Sequence, residues 1–584
     1  MTTPAGKPQG SHQPLGLSIP TTIPSTSPAS TSSATTAETR PALLFVSLAS
    51  QAGPRSAPLG AAQILAYLYK QADIRAGLAL ALLAANADDP PAELLAKVLA
   101  ARPAILALSV YVWNYPSMLN LAIAARQQLP GLIIVAGGPE AGGDASSSLR
   151  AGLADYVVSG EGELAMARLL RAWLDGSLPP IDAAPARRSF CEPVASLEAL
   201  PSPWLDGSLQ LATYGGAVWE LTRGCPFQCA FCYESRGNGP ARREFGLDRL
   251  EKELRLFGKQ AAAEVFALDP TFNAEPKRMQ QLLKLIARLA PNSLYFFELR
   301  AELLTAQQAD WLTSVNCQVQ LGLQSADPAA LALVNRRFDP EQFKAKISLL
   351  EERGIIYGLD LIYGLPGDSL EGFNRSLDYA LELRPNHLDI FPLAVLPGTL
   401  LAAQAAELGL ECQSQAPHRI LSTPGFGAAD LDRAARLADA VELFYNRGRA
   451  VMWFMPLCQA LHEPPARLLE RFALFLEGQP LVLQAEANHT QLEGWQLEFL
   501  APSLATLPDE LRLVAEETIK VAGAWTRALA EGEESQLKLH WHPEDLLDCG
   551  CVALDEVLDE CDPTTASWWC RAGTDGPLFQ VAKG

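Results

Sequence analysis

Three cysteines fall within eight positions of the run RGCPFQCAFCYESRG, Arg223 to Gly237: Cys225, Cys229 and Cys232. Spacings of three and two intervening residues let three thiolates line one loop and face a common centre, and Gly224 and Pro226 suit the tight backbone that this requires. A structural zinc site is normally closed by four protein ligands, yet no fourth Cys or His is near in the sequence. A four-iron cluster has four iron corners, so three cysteines leave one iron open to a ligand that is not protein. The missing ligand is the informative feature: it points to an iron–sulfur cluster with chemistry at its open corner, with a zinc knuckle as the alternative.

The elements that must hold this loop belong to a chain of 584 residues, 49% hydrophobic and 19% charged. At about 100–200 residues per domain, this length predicts some three folded units. A net charge of −20, with no basic run beyond pairs such as Arg187–Arg188 and Arg242–Arg243, argues against a nucleic-acid partner. The first forty residues are rich in Ser, Thr and Pro, lack the apolar core of a secretory signal, and are expected to form a disordered tail. No apolar run reaches the ~20 residues of a membrane span. A cytoplasmic protein with no membrane partner is expected, and in that compartment clustered thiols are ligands or catalytic groups rather than disulfides.

Between residues 41 and 175 the strands ALLFVS, GLALALL, AILALSV, LIIVAGG and ADYVVSG alternate with helical segments. Continuous apolar strands separated by amphipathic helices predict an α/β domain, flavodoxin-like (Rossmann-like), with a parallel sheet covered on both faces. Its ligand edge lies beyond the carboxyl ends of the strands, at Ser47–Pro58, Ser109–Asn114, Gly137–Ala141 and Ser159–Glu163. Residues 176–215, rich in Pro, Asp and Ser, read as a linker. From 216 to 400 come six strand–helix units whose strands are AVWELT, EVFALD, LYFFELR, CQVQLGLQ, IIYGLDLIYG and LDIFPLAVL. They predict a partial (β/α)6 barrel with the cysteine loop directly after its first strand, where barrel active sites lie. Residues 401–584 form a mostly helical, then mixed, C-terminal extension.

CPFQCAFC, with an aromatic before the third cysteine, resembles the CxxxCxxC signature of radical S-adenosyl-L-methionine (SAM) enzymes. The resemblance implies that Cys225, Cys229 and Cys232 hold a 4Fe-4S cluster whose unique iron binds SAM for cleavage to a 5′-deoxyadenosyl radical. It also implies SAM contacts at matching strand ends. Asp269 and Thr271 of ALDPTF would stand where the family holds the SAM amino group, although the usual Gly-Gly-Glu form is absent. Glu298 and Arg300 of FELRAE, with Gln324 and Ser325 of LGLQS, would meet ribose or carboxylate. GLDLIYGLPG resembles the family's Gly-x-Ile-x-Gly-x-Pro segment near adenine, which brings in Gly358, Ile362, Gly364 and Pro366.

GGPEA, VVSGEGE and SVYVWN resemble the cobalamin (B12)-binding domain that precedes the barrel in one class of these enzymes. The implied contacts are Ser109, Trp113, Gly137, Gly138, Pro139, Glu140, Gly160, Glu161, Gly162 and Glu163; a flavin, a phosphate or a purely structural domain is the alternative. No Asp-x-His-x-x-Gly loop is present, and the only histidine before residue 387 is His12. Cobalt would therefore lack a protein imidazole below it, which eases access to its reduced state. The run NRGRAVMWF looks like the extension of a cobalamin radical SAM subgroup whose role is uncharacterised.

The activity implied is a cobalamin-dependent radical SAM methyltransferase that transfers a methyl group from methylcobalamin to an unactivated carbon. Its substrate would be a small molecule or peptide, and an external electron donor such as flavodoxin or ferredoxin would supply electrons. Tyr357 and Tyr363 are candidates for proton transfer, with core packing as the plainer reading. Cyclisation, ring rearrangement or oxidation without methyl transfer is one alternative, and a non-catalytic iron–sulfur and cobalamin sensor is another. Cys549, Cys551, Cys561 and Cys570 could form an auxiliary metal site or be packing residues, as Cys191, Cys317, Cys412 and Cys458 are expected to be; the pair His540 and His542 lacks a third ligand.

Overall fold

The computed structural model describes residues 40–50, 52–235, 242–480, 484, 487–573 and 576–582. Apart from Arg40, the expected disordered tail lies outside the described residues. The apolar runs that follow form a parallel sheet from β1 (Ala42–Ala49), β2 (Ala79–Asn86), β3 (Ile105–Ser109), β4 (Ile133–Gly137) and β5 (Tyr156–Val158). A sixth strand, β6 (Ser189–Phe190), comes from the segment read as a linker and pairs in parallel with β5. The order is β2-β1-β3-β4-β5-β6, flavodoxin-like with one added strand. Helices such as Leu59–Lys70 and Tyr115–Gln128 lie on the sheet, and two separate apolar clusters, one on Leu44 and Val46, the other on Leu43 and Phe45, show that both faces are covered.

The second sheet starts with β7 (Gly216–Glu220). A short hairpin of β8 (Thr222–Arg223) and β9 (Arg243–Glu244) then brackets the cysteine loop. β10 (Glu264–Leu268), β11 (Leu294–Leu299), β12 (Cys317–Gln324), β13 (Ile356–Tyr363) and β14 (His387–Pro392) complete an all-parallel sheet ordered β14-β13-β12-β11-β10-β7, a partial six-stranded barrel. In β12 the two-residue period is plain: Cys317, Val319, Leu321 and Leu323 are buried against the outer helices, while Gln318, Gln320, Gly322 and Gln324 take the lumen face. Strand register carries this parity across to Glu298, Asp360 and Asp389.

An open barrel has two edge strands with unpaired backbone groups. At β7, Ala57, Leu59 and Ala62 of the first domain share the core that contains Ala217 and Trp219. At β14 the C-terminal extension supplies a side-chain substitute for a neighbouring strand. The helix Ala428–Ala440 widens into a π-helical stretch, Val441–Arg447. Asn446 in that stretch accepts from the Leu388 amide at 2.9 Å and donates to the Leu388 carbonyl at 2.9 Å. The rest of the extension comprises a small hairpin, β15 (Glu411–Cys412) and β16 (Ile420–Ser422), long helices at Pro465–Leu476, His489–Leu504 and Asp509–Ala530, and an antiparallel sheet of β17 (Ser535–Leu539), β18 (Ala566–Gly573) and β19 (Gly576–Val581). Among the described residues no helix is long and apolar enough to cross a membrane.

Candidate cluster and cofactor site

The cysteine loop is pinned from outside itself. The Ala230 amide donates to the Val334 carbonyl at 3.0 Å, the Leu401 amide donates to the Ala230 carbonyl at 2.9 Å, and the Cys232 amide closes a turn on the Cys229 carbonyl at 3.1 Å. Cys229 is buried, whereas Cys225 and Cys232 are half-buried. Cys225 Sγ lies 3.8 Å from Thr271 Oγ1, and Arg300 Nη1 donates to Cys229 Sγ at 3.6 Å. Three thiols thus stand on one anchored loop beside the carboxyl ends of β10 and β11, the number of donors that leaves one corner of a four-iron cluster to another ligand.

Around the loop, the strand-end residues divide by what they touch. Asp269 is buried, accepts from the Thr271 amide at 3.1 Å and is ion-paired with Arg242 at 3.0 Å. Glu298 faces the lumen, where burial, then Asp269 and Glu234, raise its pKa. Gln324 ends β12 just past a break in register and has positive φ. Ser325 is committed to the fold: its hydroxyl lies 3.2 Å from Ser376 Oγ and accepts from the Asp327 amide at 3.0 Å. Ile362 is on the lumen face of β13, and Gly364 and Pro366 form the turn that leaves it. Arg300 is turned toward the cysteine loop and ion-paired with Glu302.

Deeper in the lumen is a polar group that sequence reasoning missed. Gln320 Nε2 donates to Asp360 at 2.6 Å and to Asp389 at 3.2 Å, and His387 Nε2 lies 2.9 Å from Asp389. Burial, with Asp389 and Glu298 nearby, pushes Asp360 up to about 7 against the opposing Gln320 bond and Arg336 charge. Gly358 makes the Gln320 crossing possible, because a Cβ there would stand 2.1 Å from Gln320 Oε1. The available signal was parity: Asp360 and Asp389 are register partners on the inward face. The same parity corrects the tyrosine expectation. Tyr357 points out of the lumen and its hydroxyl donates to Glu351 at 2.9 Å and to the Leu383 carbonyl; Tyr363 is buried against Phe373, 5.8 Å between ring centres.

In the first domain the strand order reverses between β1 and β3, which places the crevice beside the loop after β3. There Trp113 is 51% exposed and stacks on Tyr111 at 4.4 Å. Buried Asn114 fastens the loop by accepting from the Tyr111 amide at 2.8 Å and donating to the Ser109 carbonyl at 3.1 Å. Gly137 ends β4 and Pro139 opens the next helix; Gly138 is required by close approach, since a Cβ there would stand 2.5 Å from the Val110 carbonyl oxygen.

Three carboxylates of this edge pair with other parts of the chain. Glu140 lies 2.8 Å from Nε2 of His418, a residue of the C-terminal extension. In the loop holding Gly160 and Gly162, Glu161 pairs with Arg223 at 3.0 Å and Arg243 at 2.7 Å, and Glu163 pairs with Arg223 at 2.7 Å. Arg223 also pairs with Glu220 at 2.9 Å and stands two residues before Cys225. Burial alone would raise the Glu161 pKa, but Arg243, the Val194 amide and Arg223 bring it below the ordinary carboxylate range.

The C-terminal cysteines do not converge on one centre. Cys561 Sγ lies 3.7 Å from Cys549 Sγ, Cys551 faces the Leu546 carbonyl, and Cys570 is buried in β18. His540 is held by Glu517 at 2.7 Å, and His542 caps the helix Pro543–Asp548. Among the described residues no group of three His, Cys, Asp or Glu side chains is arranged to hold a single metal ion.

A flavodoxin-like domain joined to a partial barrel that carries three cysteines after its first strand defines a class. Residues 47–170 match the B12 binding domain and residues 219–380 match the Radical SAM superfamily, so the chain carries the two domains that cobalamin-binding radical SAM enzymes combine. The cofactors of this family are a 4Fe-4S cluster, SAM and cobalamin. The chain is 30% identical over 336 residues to the 2-(S-pantetheinyl)-carbapenam-3-carboxylate methyltransferase of Streptantibioticus cattleyicolor, covering 50% of this chain and 47% of that protein. It is 26% identical over 334 residues to the cobalamin-dependent radical SAM methyltransferase TokK of Streptomyces tokunonensis, covering 51% and 48%. The chain thus spans about half the length of the curated relatives it matches. Its fold is similar to that of OxsB with aqua-cobalamin bound, at TM-score 0.55 and 13% identity, over 90% of this chain and 85% of that one. It also resembles TsrM from Kitasatospora setae, at TM-score 0.50 and 17% identity, over 66% and 79%.

Proposed function

We propose that the chain is a cobalamin-dependent radical SAM methyltransferase that places a methyl group on an unactivated carbon of a small molecule. The observation that carries this reading is the Arg223 network, in which the residue that leads into the cysteine loop is held by Glu161 and Glu163 from the edge of the B12 domain. One ionic cluster ties the loop for the iron–sulfur group to the surface for cobalamin. When bound, the cluster with SAM supplies a carbon-centred radical and cobalamin supplies the methyl group.

The chain's own residues bind, orient and set protonation. Cys225, Cys229 and Cys232 hold the cluster. Asp269, Thr271, Glu298 and Gln324 bind the polar groups of SAM, with Ile362 and the Gly364–Pro366 turn beside its adenine. Asp360, whose pKa burial raises to about 7, donates a hydrogen bond there in its protonated form. Trp113 and Tyr111 give cobalamin a flat apolar face at the crevice. An external low-potential donor such as flavodoxin or ferredoxin supplies electrons. A relative from Chlorobium limicola, a tRNA-2-methylthio-N(6)-dimethylallyladenosine synthase, is 30% identical over 227 residues. The charge of −20 and the lumen carboxylates favour a small substrate over a polyanion.

Anaerobic reconstitution followed by mass spectrometry of SAM turnover tests the proposal. S-adenosylhomocysteine together with 5′-deoxyadenosine is expected. Deoxyadenosine alone would replace methyl transfer with rearrangement or oxidation, and neither product under several reductants would favour a sensor.

A further inference from the structure

Arg300 stands at the carboxyl end of β11, and its surroundings fix it toward the cysteine loop. Its amide donates to Asn273 Oδ1 at 3.0 Å and its carbonyl accepts from Asn273 Nδ2 at 2.9 Å, so a buried side chain locks its backbone. The guanidinium lies over the Phe227 ring, 3.9 Å from the ring centre, inside the three-cysteine run itself. From there Nη1 donates to Cys229 Sγ at 3.6 Å while Nε donates to Glu302 at 2.6 Å.

We propose that Arg300 is a positioning residue for the cluster that also sets its reduction potential. This rests on the reading that the three cysteines hold a 4Fe-4S group. In the step concerned, one electron from a low-potential one-electron donor enters the cluster, which becomes more negative by one charge; no bond forms or breaks. A cation hydrogen-bonded to a ligating sulfur stabilises the more negative state and raises the potential, because hydrogen bonds to the sulfurs and local net charge are among the factors that tune such clusters. Glu302 works in the opposite sense, since it holds the guanidinium in place but offsets part of its charge. Stacking on Phe227 serves specificity as well: Arg is planar and can stack and donate together, which Lys cannot do in the same way.

The test uses the full chain, reconstituted anaerobically, as wild type, Arg300→Gln, Arg300→Lys and Glu302→Gln, each assayed for iron and sulfide and then titrated electrochemically by EPR without SAM. At a fixed potential Arg300→Gln should show about tenfold less reduced over oxidised cluster, ~59 mV for one electron. Arg300→Lys should recover most of that difference, and Glu302→Gln should shift the potential upward. Opposite signs from two residues in one ion pair are what a purely structural role would not produce. Equal potentials in wild type and Arg300→Gln at full iron content would overturn the proposal, as would a downward shift in Glu302→Gln. If Arg300→Gln fails to retain iron, Arg300→Lys and Glu302→Gln decide by the same signs. A wild-type chain that takes up no four-iron cluster would remove the cysteine reading itself.

Discussion

Two acidic groups in this molecule are in opposite electrostatic states. At the edge of the B12 domain, Glu161, Glu163 and Glu220 face the guanidiniums of Arg223 and Arg243 at 2.7–3.0 Å. Glu161 is held below the ordinary carboxylate range, and Arg223 above its own ordinary value despite burial. In the barrel lumen, the neutral amide of Gln320 joins Asp360 to Asp389, His387 lies beside Asp389, and Asp360, with the Glu298 charge also near, rises to about 7. The first group has each of its carboxylates paired with a guanidinium and joins two domains. The second has more acceptors than donors and is the kind of site that a ligand completes.

The largest effect should come from breaking the completed group. Arg223→Ala leaves three buried or half-buried carboxylates short of a partner and should cost about 3–5 kcal/mol, read as a fall in the thermal midpoint together with loss of iron retention. A stability loss under about 1 kcal/mol would mean that the network is not what joins the domains.

Next is the Glu140–His418 contact, buried at both side chains. Burial lowers the His418 pKa, but the bond to Glu140 and then that residue's charge raise it overall. Both ring nitrogens face acceptors, Glu140 at 2.8 Å and the Gln413 carbonyl at 3.3 Å, which only the imidazolium satisfies. Since the folded pKa lies above the unfolded one, the contribution is full below about pH 6.5 and is lost as pH rises through the folded value. His418→Gln should therefore cost roughly 2 kcal/mol at pH 6 and much less at pH 9, as measured by denaturant unfolding at both.

The lumen should respond with the other sign. Asp360→Asn removes a carboxyl whose folded pKa is raised, so it should stabilise the ligand-free chain by on the order of 1 kcal/mol, discounted for water in the open lumen. The gain should grow from pH 4 to pH 7 and then level off, while SAM affinity falls. A uniformly destabilising Asn would place Asp360 with the completed group. The smallest effect on chemistry belongs to Tyr357→Phe, which should leave SAM cleavage unchanged and cost about 1 kcal/mol through its bonds to Glu351 and Leu383.

What was legible in the sequence was local. The cysteine spacing and the apolar strand runs of both sheets are each contained in a few residues, and each appears where that pattern predicts. Features made by distant partners were not legible. Glu161 and Glu163 looked like ligand contacts because their ion pairs reach some sixty positions along the chain, to Arg223. His418 meets Glu140 across 278 positions, so no window around either residue contains the contact. Asp360 and Asp389 needed strand register, and Tyr357 needed strand parity, before either could be placed. Gly138 shows that one signal can have two causes, since the chain crossing at Val110 demands a glycine whether or not a cofactor lies beyond it. The short β6 escaped notice because two residues carry no period.

The most direct measurement is native mass spectrometry of the chain reconstituted anaerobically with iron, sulfide and cobalamin, comparing wild type with Cys229→Ala. The wild type should appear as a species carrying a four-iron cluster and one cobalamin, and Cys229→Ala as a species that keeps cobalamin and carries no cluster. Full iron retention in Cys229→Ala, or a wild type that binds neither group, would contradict that expectation.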